Sequence, residues 1–81
     1  MLKLAINTKL SPEEAIKRAV EFFGSGGYGL DVKEQSSTCA YFLGGGGGVN
    51  ITACAGDKGT SVELESREWD FQVKEFIGKI K

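Results

Sequence analysis

The chain of 81 residues is long enough for one domain, residues 1–81, and lies near the lower size limit at which a hydrophobic core is stable without disulfides or metal ions. Hydrophobic residues make up 41% and charged residues 26%, a balance that excludes a disordered or a membrane-embedded protein. Ten basic residues are scattered among eleven acidic ones, for a formal net charge of −1, so we expect no nucleic acid as a partner.

Histidine is absent, and the only two cysteines, Cys39 and Cys54, are far apart in sequence. This content excludes a Cys/His zinc site, a serine–histidine catalytic pair and an imidazole general base. The segment MLKLAIN, residues 1–7, holds no apolar run as long as a signal peptide or a membrane span. We therefore expect a cytoplasmic protein that is not an enzyme and has no metal ion, no cofactor and no membrane partner.

The first two elements are a strand and a helix. In LKLAIN, residues 2–7, apolar residues alternate with more polar ones, which predicts a strand with one buried face. In SPEEAIKRAVEFFG, Ser11 is placed to cap a helix, Pro12 suits its first position, and Gly24 suits its end. The apolar stripe of this helix recurs at spacings of three and four residues and consists of Ile16, Ala19, Val20 and Phe23.

Four further strands and a second helix follow. The first of these strands begins near Leu30, and the other three cover CAYFL (39–43), VNITACA (49–55) and TSVELES (60–66). The turns between them lie at QSST (35–38), the glycine run and GDKG (56–59). The segment SREWDFQVKEFIGKIK (66–81) returns to helical spacing. The order β-α-β-β-β-β-α predicts an α+β fold, a two-layer sandwich with a five-stranded antiparallel sheet and both helices on one face.

Hairpin registers predict which side chains face the helices. A two-residue turn in GDKG sets Ile51 opposite Leu64 and Ala53 opposite Val62, all on one face. If the five glycines form the whole next loop and Ser36–Ser37 the turn before it, the inward residues of the third strand are Cys39, Tyr41 and Leu43. Two consequences follow: Phe42 lies exposed on the opposite face, and Cys39 and Cys54 face opposite ways as two free thiols.

This order of elements, from Leu2 to Ile80, resembles the TATA-binding-protein-like or helix-grip layout, in which a curved antiparallel sheet grips a long C-terminal helix. Families similar in this layout include nucleic-acid-binding saddles and proteins that hold apolar ligands between sheet and helix. The resemblance implies a fold and transfers neither function. A saddle that reads DNA is basic, whereas the outer face here carries Asp31, Glu63 and Glu65.

The run Gly44, Gly45, Gly46, Gly47 and Gly48 is the first candidate site. It lies between two strands and lacks the Gly-Lys-Ser/Thr or G-x-G-x-x-G context of a nucleotide-binding loop. Three interpretations remain: a flexible loop that binds a ligand or partner, a permissive hairpin connection, or glycines inside the strands that let another segment come close.

The stretch SREWD is the second candidate site. Arg67, Trp69 and Asp70 could form a ligand site with the glycines, or Ser66 could cap the last helix while Trp69 anchors it in the core. The neighbouring carboxylates need not converge on a metal ion, and a solvated acidic rim explains them.

The leading hypothesis for function is a non-catalytic interaction domain that acts by self-association as a homodimer, or by docking a protein partner over the sheet face or an edge strand. The alternative is a small-molecule binder with a site between the sheet, the glycine loop and the C-terminal helix. The residues predicted to bind a ligand or partner are Gly44, Gly45, Gly46, Gly47, Gly48, Phe42, Arg67, Trp69 and Asp70.

Overall fold

The structure is a computed structural model that describes residues 2–57 and 59–80. Its elements are β1 (Leu2–Thr8), α1 (Pro12–Phe23), β2 (Asp31–Gln35), β3 (Cys39–Gly44), β4 (Gly47–Gly56), β5 (Gly59–Arg67) and α2 (Asp70–Ile80). The strands form one antiparallel sheet in the order β1-β5-β4-β3-β2. The α+β fold and the predicted order of elements are confirmed. Lys58 of the GDKG turn and Lys81 of the predicted last helix lie outside the described residues.

Helix α1 begins and ends where its sequence predicts. The Ser11 hydroxyl accepts a hydrogen bond from the Glu14 backbone N–H at 3.2 Å, which satisfies one of the free donors of the first turn. At the other end, the Gly24 N–H donates to the Val20 carbonyl at 2.8 Å. The buried residues of the helix are Ala15, Ile16, Ala19 and Phe23.

Both helices cover the same face of the sheet. Helix α1 lies across β3, β4 and β5, and α2 lies across β5 and β1. Three fully buried phenylalanines join the layers, because the ring of Phe23 lies 5.6 Å from that of Phe42 and 5.4 Å from that of Phe76, measured between centroids. Such packing of α1, the sheet and α2 places the core between the helices and one sheet face, and leaves the opposite face open.

The β4–β5 hairpin has the predicted register. Ile51 lies opposite Leu64 and Ala53 opposite Val62, and all four side chains are fully buried. Their alternate neighbours on both strands are exposed on the open face.

The predicted register of the β3–β4 hairpin is wrong by one residue. Gly44 pairs with Gly47, so only Gly45 and Gly46 form the turn, and Phe42 lies opposite Val49. Because side chains alternate along a strand, this shift turns Phe42 into the core and Tyr41 and Leu43 onto the open face. The expectation that Phe42 is exposed is therefore also wrong.

Turn geometry explains the shift. Gly45 and Gly46 both have positive φ, 58° and 82°, the conformation of the tight two-residue turn whose twist matches that of the flanking strands. A five-residue loop would not provide that match. The β2–β3 register also differs from the prediction, since a bulge at Lys33 places Val32 opposite Phe42 and Glu34 opposite Tyr41.

The observed register also decides which face of the sheet carries the two cysteines. Cys39 pairs with Thr52 and is half-buried on the open face, the same face on which Cys54 is exposed. The expectation that they face opposite ways is wrong, although both thiols are free. The Cys39 sulfur lies 3.1 Å from the Ser36 hydroxyl oxygen, within hydrogen-bond distance for sulfur.

The corrected register predicts the ranking of two alanine variants. Phe42→Ala is expected to lower the free energy of unfolding by about 3–5 kcal/mol, because it leaves a cavity among buried rings. Leu43 is half-buried on the open face, so Leu43→Ala is expected to lower the free energy of unfolding by about 1–2 kcal/mol. Urea unfolding followed by circular dichroism measures both, and a larger loss for Leu43→Ala would contradict the register.

Candidate functional site

The glycine hairpin packs against Trp69. The Trp69 indole N–H donates to the Gly44 carbonyl oxygen at 2.9 Å. A Cβ on Gly45 would lie 2.7 Å from Cζ2 of the same ring, closer than real contacts allow. The indole therefore requires a residue without a side chain at Gly45, and its hydrogen bond holds the hairpin against the segment that leads into α2.

Three other glycines of the run, Gly44, Gly47 and Gly48, allow close packing inside the strands. A Cβ on Gly47 would overlap the Arg67 carbonyl group, and a Cβ on Gly48 would lie 2.8 Å from the Phe42 carbonyl oxygen. A Cβ on Gly44 would lie 2.6 Å from Cδ2 of Leu30. Of the three interpretations of the run, the structure supports glycines inside the strands that let other segments come close.

Trp69 fills the space between the glycine hairpin and α2. On its other side, the Tyr28 ring meets the indole edge to face, with the centroids 5.7 Å apart. The Tyr28 hydroxyl donates to the Glu75 carboxylate at 2.7 Å. This hydrogen bond, with smaller contributions from partial desolvation and the negative charge of Glu75, raises the pKa of Tyr28 above its ordinary value of 10.0.

Asp70 is the first residue of α2, and its side chain bonds to β5 and not to the glycine hairpin. Its carboxylate accepts a hydrogen bond from the hydroxyl of Ser66, which is buried on the inner face of β5. The prediction that Ser66 caps the last helix is therefore wrong, because Ser66 belongs to a strand and the first backbone bond of the helix runs from Val73 N–H to the Trp69 carbonyl.

A depression of about 440 Å³ lies on the open face of the sheet, above Gly48. Because Gly48 has no side chain, its backbone forms the bottom of the depression. Register pairing places Glu34, Tyr41, Asn50 and Glu65 in one row across the strands, and Arg67 beside Gly48 in the next row. These are the side chains around the depression.

The depression carries both signs of charge. Glu65 lies 3.6 Å from Lys3 of β1 in an exposed ion pair. The ion pairs among the described residues are this one and Glu14–Arg18, so Arg67 is not neutralised by either. The β5 side of the depression therefore presents a guanidinium group, and the β2 side presents the Glu34 carboxylate beyond the Tyr41 ring.

The structure does not bring the predicted site residues together in one place. Gly44, Gly45 and Trp69 contact one another on the helix side, whereas Gly48 and Arg67 border the open depression. Phe42 lies in the core, Asp70 at the start of α2, and Gly46 at the exposed turn. The predicted set of binding residues lacks Asn50, although the β4–β5 register already placed it on the open face. It also lacks Tyr41, which the predicted register turned towards the helices, and the signal that places Tyr41 on the open face is the tight-turn preference for Gly-Gly.

The two edge strands of the sheet differ in their protection. Edge strand β2 has five residues, all exposed, of which three are charged, and it contains a bulge. Edge strand β1 has seven residues in unbroken register with β5, without proline or bulge. Short length, charge and bulges are the features by which natural sheets discourage pairing at an edge, and β1 has almost none of them.

Two glycine variants separate the turn conformation from the contact with Trp69. Gly46→Ala is expected to cost about 1 kcal/mol of stability, from positive φ alone, since nothing lies within 4 Å of its Cβ position. Gly45→Ala has the same strain and in addition meets the indole, so we expect a further loss of about 1–3 kcal/mol. Urea unfolding measures the difference, and equal losses would mean that Trp69 does not pack on Gly45.

No protein-family model and no curated protein sequence matches the chain. Among solved structures, the chain is similar to the crystal structure of protein SSP2350 from Staphylococcus saprophyticus, at 16% sequence identity and a TM-score of 0.61. The match covers 94% of this chain and 77% of that one. None of the described helices is long and apolar enough to cross a membrane. The likeness to SSP2350 shows a shared fold.

Proposed function

We propose that this protein is a non-catalytic interaction domain that binds an extended segment of a protein partner along the open edge of β1. The observation that supports this proposal best is the contrast between the two edges of the sheet. A strand that adds to β1 meets a regular backbone. At the other edge of the sheet, the charges and the bulge of β2 disfavour such pairing.

The backbone of β1 presents free hydrogen-bonding groups at regular intervals. Gly56 and Gly59 close the β4–β5 hairpin as a pair, and the closing pair of a two-residue hairpin exchanges hydrogen bonds. Alternate residues of β5, starting with Thr60, therefore turn their backbone groups towards β1. The residues of β1 that face them bond inward, so the N–H and C=O groups of Lys3, Ala5 and Asn7 point to the open edge.

The side chains of β1 also favour an added strand. Leu2, Leu4 and Ile6 face the helix layer but are only half-buried, whereas Val62 and Leu64 on the next strand are fully buried. An added strand would cover this apolar row. Lys3 is the only charged residue of β1, and it leans onto Glu65 of β5.

The end of β1 is fixed to the rest of the domain. The hydroxyl of the buried Thr8 donates to the Ile80 carbonyl at the end of α2, and the Thr60 hydroxyl donates to the Leu10 carbonyl at 2.6 Å. Because these bonds tie the strand to α2 and β5, the open edge is formed before a partner binds, which lowers the entropy cost of association.

A proline at Ala5 tests the proposal. Because the Ala5 N–H points away from β5, Ala5→Pro is expected to keep the fold and remove one edge hydrogen bond, whereas the matched Ala5→Val keeps the N–H and should bind normally. The probe is a fluorescein-labelled peptide with the sequence of residues 2–8, and its anisotropy is measured against the protein at low concentration. We expect binding at least tenfold weaker for Ala5→Pro; equal binding by both variants, or none by the wild type, would contradict strand addition.

A second candidate function is supported by the depression above Gly48. We propose that it binds a small molecule with an acidic group beside Arg67 and a ring against Tyr41. This site borders the glycine run, as the alternative hypothesis expects, but it lies on the open face because Trp69 fills the space towards α2.

Benzoate serves as the probe for this second function. In a titration followed by amide NMR shifts, we expect changes centred on Gly48 and Asn50 that disappear in Arg67→Ala. Arg18→Ala is the matched control, since Arg18 is an exposed arginine on α1. Shifts that are absent in the wild type, or unchanged in Arg67→Ala, would contradict a carboxylate site at this depression.

A further inference from the structure

We propose that the partner segment is β1 of a second copy of this chain, so that two domains join edge to edge about a two-fold axis perpendicular to the sheet. This inference rests on the proposed function, since it names the occupant of the same edge. An antiparallel pairing of identical strands keeps both helix layers on one side of the joined sheet. Each copy then supplies the same surface, as a two-fold interface requires.

One register uses all the free backbone groups of the edge. Only Lys3, Ala5 and Asn7 point outward, so hydrogen-bonded pairs across the axis must join these residues. With Ala5 opposite its own copy, Lys3 lies opposite Asn7 of the partner subunit, and about six hydrogen bonds form. A shift by two residues in either direction loses about two of them.

The same register matches the side chains on both faces. On the helix side, Leu4 lies opposite the partner's Ile6, and the half-buried apolar rows of the two copies cover each other. Ile77, on the helix that lies over β1, is also half-buried and lies on this side of the sheet.

Charge does not oppose the pairing. The two copies of Lys3 lie on opposite sides of the axis, each with its own Glu65, and no like charges face each other. Edge β2 offers no comparable self-pairing, because Asp31, Lys33 and Glu34 lie within its five residues and its register is broken at Lys33. The β1 strand of a second copy therefore fits the β1 edge without an uncompensated charge.

Sedimentation equilibrium over a range of concentrations tests the inference on the full chain. We expect the wild type to approach twice the monomer mass of 8.7 kDa as concentration rises, and Ala5→Val to behave alike. Ala5→Pro is expected to remain a monomer with an unchanged circular dichroism spectrum. A dimer that persists in Ala5→Pro would overturn the inference, because another surface would then hold the copies together.

Cysteine cross-linking tests the register itself. In a background with Cys39→Ser and Cys54→Ser, Ala5→Cys places two thiols across the axis at a Cα separation of about 5.5 Å, within the range of a disulfide. Asn7→Cys is the matched control, because its copies would be about 14 Å apart, which is too far for a disulfide. We expect a covalent dimer from Ala5→Cys under mild oxidation and none from Asn7→Cys; the reverse result would exclude this register.

The failures of the two proposals are distinguishable. A wild type that stays monomeric at all concentrations but binds the peptide of residues 2–8, in a manner sensitive to Ala5→Pro, would leave the edge as a docking site and exclude a second copy as its partner. A monomer that does not bind the peptide would exclude both.

Discussion

The reversal of the chain at Gly45 and Gly46 sets the register of β3 against β4, and the composition of both sheet faces depends on it. Both residues have positive φ, a backbone conformation that residues other than glycine adopt only with strain. The tight turn brings Phe42 opposite Val49, and Phe42 then meets Phe23 across the helix layer. A register shifted by one residue would turn Tyr41 and Leu43 towards the core. It would also leave the Phe42 ring exposed on the open face.

The glycine run allows close packing on one side of the sheet and shapes the surface on the other. Gly44 and Gly47, inside the strands, let the Leu30 side chain and the Arg67 backbone approach closely, and Gly45, in the turn, does the same for the Trp69 ring. The Trp69 hydrogen bond ties the hairpin to the start of α2. The missing side chain at Gly48 also leaves the depression on the open face. The absence of side chains in this run thus allows tight packing towards the helices and leaves a depression on the open face.

The functional proposals depend on what the helices leave uncovered. The two helices cover one face of the sheet, so the accessible surfaces of the sheet are the open face and the edges. Of the edges, β2 carries the charges and the bulge that discourage pairing, while β1 keeps a regular backbone and a half-buried apolar row. A small domain has few such surfaces, and an edge without these protective features stands out because its free backbone groups are a template for pairing with another strand.

The sequence by itself determined the order of the elements, the limits of α1 and the β4–β5 register, because each of these depends on local signals. Ser11 and Gly24 act within one helical turn, and β4 and β5 carry apolar residues on one face alone, so one register buries them. Composition likewise determined the absence of histidine chemistry.

Only the tertiary structure decided which face of β3 is buried and where the site residues meet. The segment CAYFL has apolar residues on both faces, so the pattern of residues cannot choose between two registers that differ by one position; packing against Phe23 and the twist of the turn choose. Trp69 reaches Gly44 across 25 positions of chain, a contact that no local pattern encodes. The exposure of the β1 edge also depends on strand order, which is a property of the whole sheet.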